Sequence, residues 1–173
     1  QETLLELERT PKIVIAAING HCVGGGLEIA LACDLRFMRA GGQIGLPEVT
    51  LGVLPGTGGT QRLPRLVGKA RALDLMITGR TISTEEAKDI GLVNEVSDGD
   101  AVEFAKQYAA TLNAGATRAI GLIKVAVQEG VEMSLNNGLA LERELQNRLF
   151  VTEDAQEGLQ AFIEKRTPEF KGS

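Results

Sequence analysis

Apolar positions along the chain follow two periods. In ETLLELER, Leu4, Leu5 and Leu7 fall at helical spacing. The helix they predict must stop before Pro11, because the residue ahead of a proline is pushed out of the helical region. The next run, IVIAAI at 13–18, has no polar residue and is rich in β-branched side chains. It predicts a strand buried on both faces, and Asn19-Gly20 ends it as a turn. After Gly24-Gly25-Gly26 the pattern lengthens again. LEIALAC predicts a helix from about Gly26 to Cys33, and DLRFM at 34–38 a second strand.

The segment GGQIGLPEVTLGVLPGTGG at 41–59 breaks both periods. Short strands are expected around Ile44 and Val49, between turns. A segment this irregular inside a compact domain is usually functional. Helices follow at 60–66 and 69–77 with Gly68 between them. Another short helix starts at Thr84, capped by Ser83 or Thr84, and LVNEV at 92–96 reads as a strand. From Asp100 onward the period is helical throughout, at 100–112, 116–129, 134–150 and 153–165. In the third of these, Leu135, Leu139, Leu145 and Leu149 lie near one face. The chain therefore divides into strand–helix units at 1–99 and a helical region at 100–173, the latter a separate layer or an assembly surface.

Composition narrows the picture. The 173 residues suffice for a sizeable core, which must be aliphatic, since there is no tryptophan and one tyrosine. A net charge of -5 argues against an electrostatic grip on nucleic acid or on an anionic membrane. No apolar run reaches the roughly 18 residues that a spanning helix needs. Cys22 and Cys33 are expected as free, buried thiols in a reducing compartment. A single histidine excludes a multi-histidine metal site, and His21 reads as a turn residue rather than a base. Arg62 and Arg65 read as pairing residues on the surface of their helix. The chain opens at Gln1 inside a helical pattern, which leads us to expect a further segment ahead of it.

The chemistry concentrates in HCVGGGLEIALACD, residues 21–34. Glycines between a strand and a helix let the backbone turn tightly and expose the N–H groups of the first helical turn. Those groups attract negative charge. The spacing is not GxGxxG, which leaves stabilisation of a developing carbonyl oxyanion as the use for them. Glu28 lies in that first turn, where it either complements the helix dipole or acts chemically. Glu48, in IGLPEVTLG, is a second carboxylate among apolar residues; its plainer reading is a surface strand residue. Together they form a candidate acid–base pair, one handling a water while the other delivers a proton. PGTGGTQRLPRLVG at 55–68 lacks the Gly-Lys-Ser/Thr ending of a phosphate loop. Its plainer reading is a tight loop leading into a helix, in which a backbone N–H such as that of Gly56 could also hold a water.

Three stretches resemble the crotonase superfamily, and within it the enoyl-CoA hydratases: PKIVIAAINGHCVGGGLEIALACDLRF, GLPEVTLGVLPGTGGTQRLPRLVG and ITGRTISTEEAKDIGLVNEV. The resemblance runs from about Pro11 to the C-terminus. It implies an α/β crotonase-like spiral of ββα turns with a helical C-terminal region used in trimerisation, trimers commonly pairing into hexamers. It implies an acyl-CoA thioester substrate, with coenzyme A as part of that substrate and no separate cofactor or metal. By position, Gly25 would supply an oxyanion-hole N–H, and Glu28 and Glu48 would be catalytic. Gly56 would hold the water, and Phe162 and Lys165 would contact the CoA of a neighbouring subunit. Water would add syn across a trans-2-enoyl-CoA, with Glu48 protonating Cα and Glu28 orienting or activating the water. The implied location is the cytoplasm, or the mitochondrial matrix in a eukaryote. Members of the superfamily carry a further N-terminal region with the first strands and the other oxyanion-hole donor. Without it, the core here would be partial and the 173-residue chain alone inactive, since losing one such donor typically costs about 10²–10³ in rate.

Other readings remain. An enoyl-CoA isomerase would need only one glutamate, at the Glu48 position. A catalytically silent fragment or assembly subunit would keep the fold without the chemistry. Some relatives bind RNA, but the acidic balance and the lack of basic clusters interleaved with aromatics speak against it.

Overall fold

The structure is a computed structural model describing residues 1–173. It divides into two compact units, one of Gln1–Glu8 with Val14–Lys106, the other of Arg9–Ile13 with Gln107–Ser173.

The chain enters the first unit through α1 (Glu2–Arg9), then β1 (Ile15–Ile18), β2 (Cys22–Val23), α2 (Gly25–Leu31), β3 (Leu35–Arg39) and β4 (Gln43–Gly45). A 3-10 turn at Glu48–Leu51 leads to α3 (Gly59–Val67), α4 (Lys69–Thr78), β5 (Ile82–Ser83), α5 (Thr84–Asp89) and β6 (Glu95–Ser97). The strands form two three-stranded sheets, ordered β1-β3-β6 and β2-β4-β5. The first is wholly parallel, with Ile15 opposite Leu35 and Phe37 opposite Glu95. In the second, β2 runs parallel to β4, with Cys22 opposite Ile44, and β5 runs antiparallel.

The core of this unit is mainly aliphatic, with Leu27, Met38, Ile44, Leu46, Leu63 and Leu92 fully buried. It is not wholly so as expected: Phe37 is also fully buried, edge-on to Phe104 with ring centroids 5.1 Å apart. Each such side chain contributes about 1.5–3 kcal/mol relative to exposure. Ser83 caps α5, its Oγ accepting the Glu86 N–H at 3.2 Å. Arg36 is 3% exposed, and its guanidinium donates to three backbone carbonyls. Its Nε donates to Leu92 at 2.8 Å, and its Nη1 to Ala30 at 3.2 Å and Cys33 at 2.7 Å. It thereby ties the C-terminal end of α2 to the segment before β6.

Several expectations fail here for identifiable reasons. The strand at 13–18 is shorter and only half-buried, because β1 is an edge strand with one neighbour. Val49 is not in a strand. The Pro47 carbonyl accepts from the Thr50 N–H at 2.9 Å and from its hydroxyl at 2.7 Å, which curls the chain into the 3-10 turn. Gly52, at φ 74°, closes that turn. The strand expected at 92–96 lies at Glu95–Ser97, and Leu92 and Val93 instead fill the core. Cys33 sits beyond the end of α2 and is half-buried, not inside the helix; neither cysteine is in a disulfide.

α6 (Ala101–Asn113) is shared between the units. The second unit continues with α7 (Thr117–Gly130), α8 (Leu135–Phe150) and α9 (Glu153–Glu164), close to the expected boundaries. Ser134 and Thr152 cap α8 and α9. The segment 9–13 packs on α7: the buried Lys124 donates to the Lys12 carbonyl at 2.9 Å, and a Cβ on Gly121 would lie 2.5 Å from the Pro11 carbonyl oxygen. The C-terminal tail folds back onto α9. Asp154 accepts the Lys171 N–H at 2.7 Å and the Gly172 N–H at 2.9 Å, and Glu157 takes a two-point ion pair from Arg166 at 2.6 and 2.8 Å. The leucine face of α8 is less buried than its spacing suggests. Leu145 is buried, but Leu135 and Leu139 are exposed.

Candidate active site

The start of α2 is built by Gly24. Its φ of 56° and ψ of -132° suit glycine, and its N–H donates to the Gly45 carbonyl at 3.0 Å, extending the β2–β4 ladder to the foot of the helix. Gly25 opens α2, so its N–H belongs to the first turn, where no carbonyl of the helix itself can accept it. Gly24 is also a point of close approach, since a Cβ there would lie 3.3 Å from Glu48 Oε1.

Glu28 lies one turn into α2 and is 3% exposed. Its charge is met by backbone. Oε1 accepts the Thr57 N–H at 2.6 Å and the Gly59 N–H at 2.8 Å. Charge-assisted bonds of this kind are about twice as strong as neutral ones. Both fall on Oε1. Gly59 must be small for this to happen, because a Cβ there would meet Pro55, Leu46 and Glu28 Oε1 at 2.7–3.1 Å.

Glu48 differs. It opens the 3-10 turn, and its Oε2 is buried with no hydrogen-bond partner from the protein. A buried polar atom left unpaired costs roughly 1–3 kcal/mol, more for a charged group.

The structure thus gathers four of the expected residues around the foot of α2. Gly25 is in the first turn, with Glu28 just behind it. Glu48 lies against the neighbouring Gly24, and Gly56 immediately precedes the Thr57 amide that holds Glu28. Phe162 and Lys165 belong to the second unit, where both are exposed; Lys165 ends α9 at a left-handed φ of 55°. His21 is exposed, its Nδ1 accepting the Gln43 N–H at 3.1 Å, as suits a turn residue. No group of three or more His, Cys, Asp or Glu side chains is placed to hold a metal ion.

Thr57 and Gly59 were not among the expected site residues, although the PGTGG glycines mark the tight loop that carries them. Arg62 corrects its surface reading. It is part-buried, and its Nε and Nη2 bind the two carboxylate oxygens of Glu8 at 2.7 and 2.9 Å, while Nη1 donates to the Thr57 carbonyl at 3.2 Å. The bonds to Glu8 hold the guanidinium above its ordinary value despite burial, and Glu28 adds a smaller attraction. Arg65 donates to the Gln61 carbonyl, one turn back in its own helix, at 2.9 Å. Burial pushes the Cys22 thiol up to about 11, with Cys33 adding to the effect.

The family model for enoyl-CoA hydratase/isomerase matches residues 1–173. The 2,3-dehydroadipyl-CoA hydratase of Escherichia coli (strain K12) is 43% identical over 167 residues, which is 96% of this chain and 66% of that protein. YngF of Bacillus subtilis (strain 168), which carries an enoyl-CoA hydratase/isomerase name, is 46% identical over 173 residues, 99% of this chain and 66% of that protein. A crystal structure of an enoyl-CoA hydratase from Geobacillus kaustophilus HTA426 superposes with a TM-score of 0.97 at 57% identity, covering 99% of this chain and 66% of that one. The chain therefore spans just under two thirds of the length of these relatives. Its fold is the crotonase fold that the three motifs led us to expect. With a match over its full length, the chain belongs to the enoyl-CoA hydratase/isomerase family.

Proposed function

We propose that this protein is an enoyl-CoA hydratase, adding water reversibly and syn across a trans-2-enoyl-CoA thioester. The observation that carries this reading is the unequal treatment of two carboxylates. Glu28 is anchored through one oxygen by two backbone N–H groups, which leaves its second oxygen to orient a water. Glu48 has a buried oxygen that the protein does not satisfy, a position that suits a group whose partner is a water or a proton in transit. The Gly56 N–H is the further donor to that water.

Addition at Cβ builds enolate charge on the thioester oxygen. The Gly25 N–H at the foot of α2 stabilises that charge. Glu28 takes the proton that the water gives up as its oxygen bonds to Cβ, and Glu48 delivers its own proton to Cα, so the pair passes on one proton net and the product gains one water. In this scheme the polarisation comes from backbone donors and the proton transfers from carboxylates, so no metal or redox cofactor takes part. Phe162 and Lys165 contact the CoA of a neighbouring subunit. Exposed apolar side chains along α8 and α9, among them Leu135, Leu159 and Phe162, support assembly into a homotrimer or hexamer. No helix is long and apolar enough to cross a membrane, and two cysteines without a disulfide suit a reducing compartment such as the cytoplasm.

The deciding experiment is turnover of a short series of trans-2- and cis-3-enoyl-CoA thioesters by the whole protein. Loss of the 2-enoyl chromophore with 3-hydroxyacyl-CoA as product supports hydration. Double-bond migration alone makes it an isomerase, and no turnover makes it a silent member of the fold.

A further inference from the structure

Arg62 has contacts on both sides of the loop that holds Glu28. Its side chain and that of Glu8 are only 15% and 22% exposed. The fork geometry of a guanidinium lets it bind the Glu8 carboxylate at two points and still direct Nη1 to the Thr57 carbonyl. The peptide groups on either side of the Thr57 Cα are therefore both pinned, one by Arg62 through its carbonyl, the other by Glu28 through its N–H. Gly58 lies between, at φ 113°. A Cβ there would sit 1.9 Å from Arg62 Nη1, so the guanidinium occupies the space that a side chain would take. The Gly59 N–H then reaches Glu28 from the far side of the same loop. Gln1, just ahead of α1, adds a second tie at the start of the loop, its Nε2 donating to the Gly56 carbonyl at 2.7 Å.

We infer that Arg62, braced by Glu8, is a positioning residue that fixes the 57–59 loop and through it aims the carboxylate of Glu28. The inference rests on the hydration reading above for its catalytic consequence, but not for the brace itself. Removing the guanidinium leaves the loop's N–H pair free to drift, and a 1 Å misplacement of a reacting group costs up to about 10²-fold in rate. The loss falls on kcat, because Arg62 reaches the chemistry only through Glu28.

The test uses the whole protein with Arg62→Met, Arg62→Lys and Glu8→Gln, alone and combined with Glu28→Gln. Arg62→Met is expected to lower kcat for crotonyl-CoA hydration about 10–100-fold with KM within about threefold, and Arg62→Lys to recover part of the loss. In the Glu28→Gln background the same change should cost less than about twofold, since the group being aimed is already gone. Amide hydrogen exchange at Thr57 and Gly59 should quicken in Arg62→Met while amides of β3 stay as protected as before. An additive loss in the Glu28→Gln background, or exchange that quickens throughout the unit, reduces Arg62 to a general stabiliser and overturns the inference. If the wild type does not hydrate enoyl thioesters, the hydration reading fails. The exchange measurement then decides the brace alone, and unchanged exchange at Thr57 and Gly59 refutes it.

Discussion

Gly24 and Glu48 approach so closely that a Cβ on the glycine would lie 3.3 Å from the carboxylate's Oε1. The two are joined by nothing in the local sequence, yet each limits the other. Gly24→Ala would force a side chain into a φ of 56° and press it against Glu48. Backbone strain of this kind costs about 1–3 kcal/mol, which lowers the melting temperature by about 3–10 °C in a chain of this size. Turnover should fall by more than the stability loss explains. Calorimetry beside steady-state kinetics at a temperature where both proteins are folded checks this.

The two glutamates are expected to separate when each is made neutral. Glu28→Gln weakens two charge-assisted bonds from backbone N–H groups and should cost about 1–2 kcal/mol of stability. Glu48→Gln removes a carboxylate whose buried oxygen has no protein partner, so the melting temperature should hold or rise. Both should lose about 10²–10⁴-fold in hydratase rate. A Glu48→Gln protein that is both active and destabilised would contradict the role given to that residue.

Thiol chemistry should distinguish the cysteines. Burial holds the Cys22 thiol up at about 11, so at pH 8 only about a thousandth of it is thiolate. Iodoacetamide should therefore modify the half-buried Cys33 first and reach Cys22 only after the fold opens. Peptide mass spectrometry with and without denaturant reads this directly. Early labelling of Cys22 in the folded protein would show the first unit to be looser than its packing implies.

At the other end of the chain, Glu157 is held down to about 2 by the Arg166 guanidinium and the Glu169 N–H. The depressed value means that the contribution of this contact is complete above the ordinary 4.5 and is lost as the pH falls toward 2. In Arg166→Met the Glu157 carboxyl should titrate well above about 2, shifting toward its ordinary value while the Glu169 N–H still holds it somewhat down, and the tail at 166–169 should lose amide protection at neutral pH. Carboxyl-resolved NMR titration of both proteins measures the shift.

How much of this could be read beforehand depended on the range of each interaction. α2 was legible because a glycine triplet and an apolar run are local signals, and Glu28 stood out as a carboxylate inside that run. The helices at 101–164 were legible for the same reason. Val49 was misjudged because IGLPEVTLGV has the composition of a strand, whereas the Pro47 carbonyl and the left-handed Gly52 curl it into a 3-10 turn. The burial of IVIAAI was overstated, since apolar composition does not say how many neighbours a strand has. Arg62 and Glu8 lie 54 residues apart, and no periodicity links them. A pairing of that range is visible only once α1 and α3 are folded.

Arg36 gives α2 a mechanical character. The helix is clamped at its C-terminal end by a guanidinium that grips the Ala30 and Cys33 carbonyls, and it presents its N-terminal end to the chemistry. It behaves as a cantilever, with a built-in end and a working tip. The stiffness of the tip is then set partly by a residue that touches none of the reacting groups. Substitutions at the clamp would change how steadily the first-turn N–H groups are held without altering a single atom around Glu28 or Glu48.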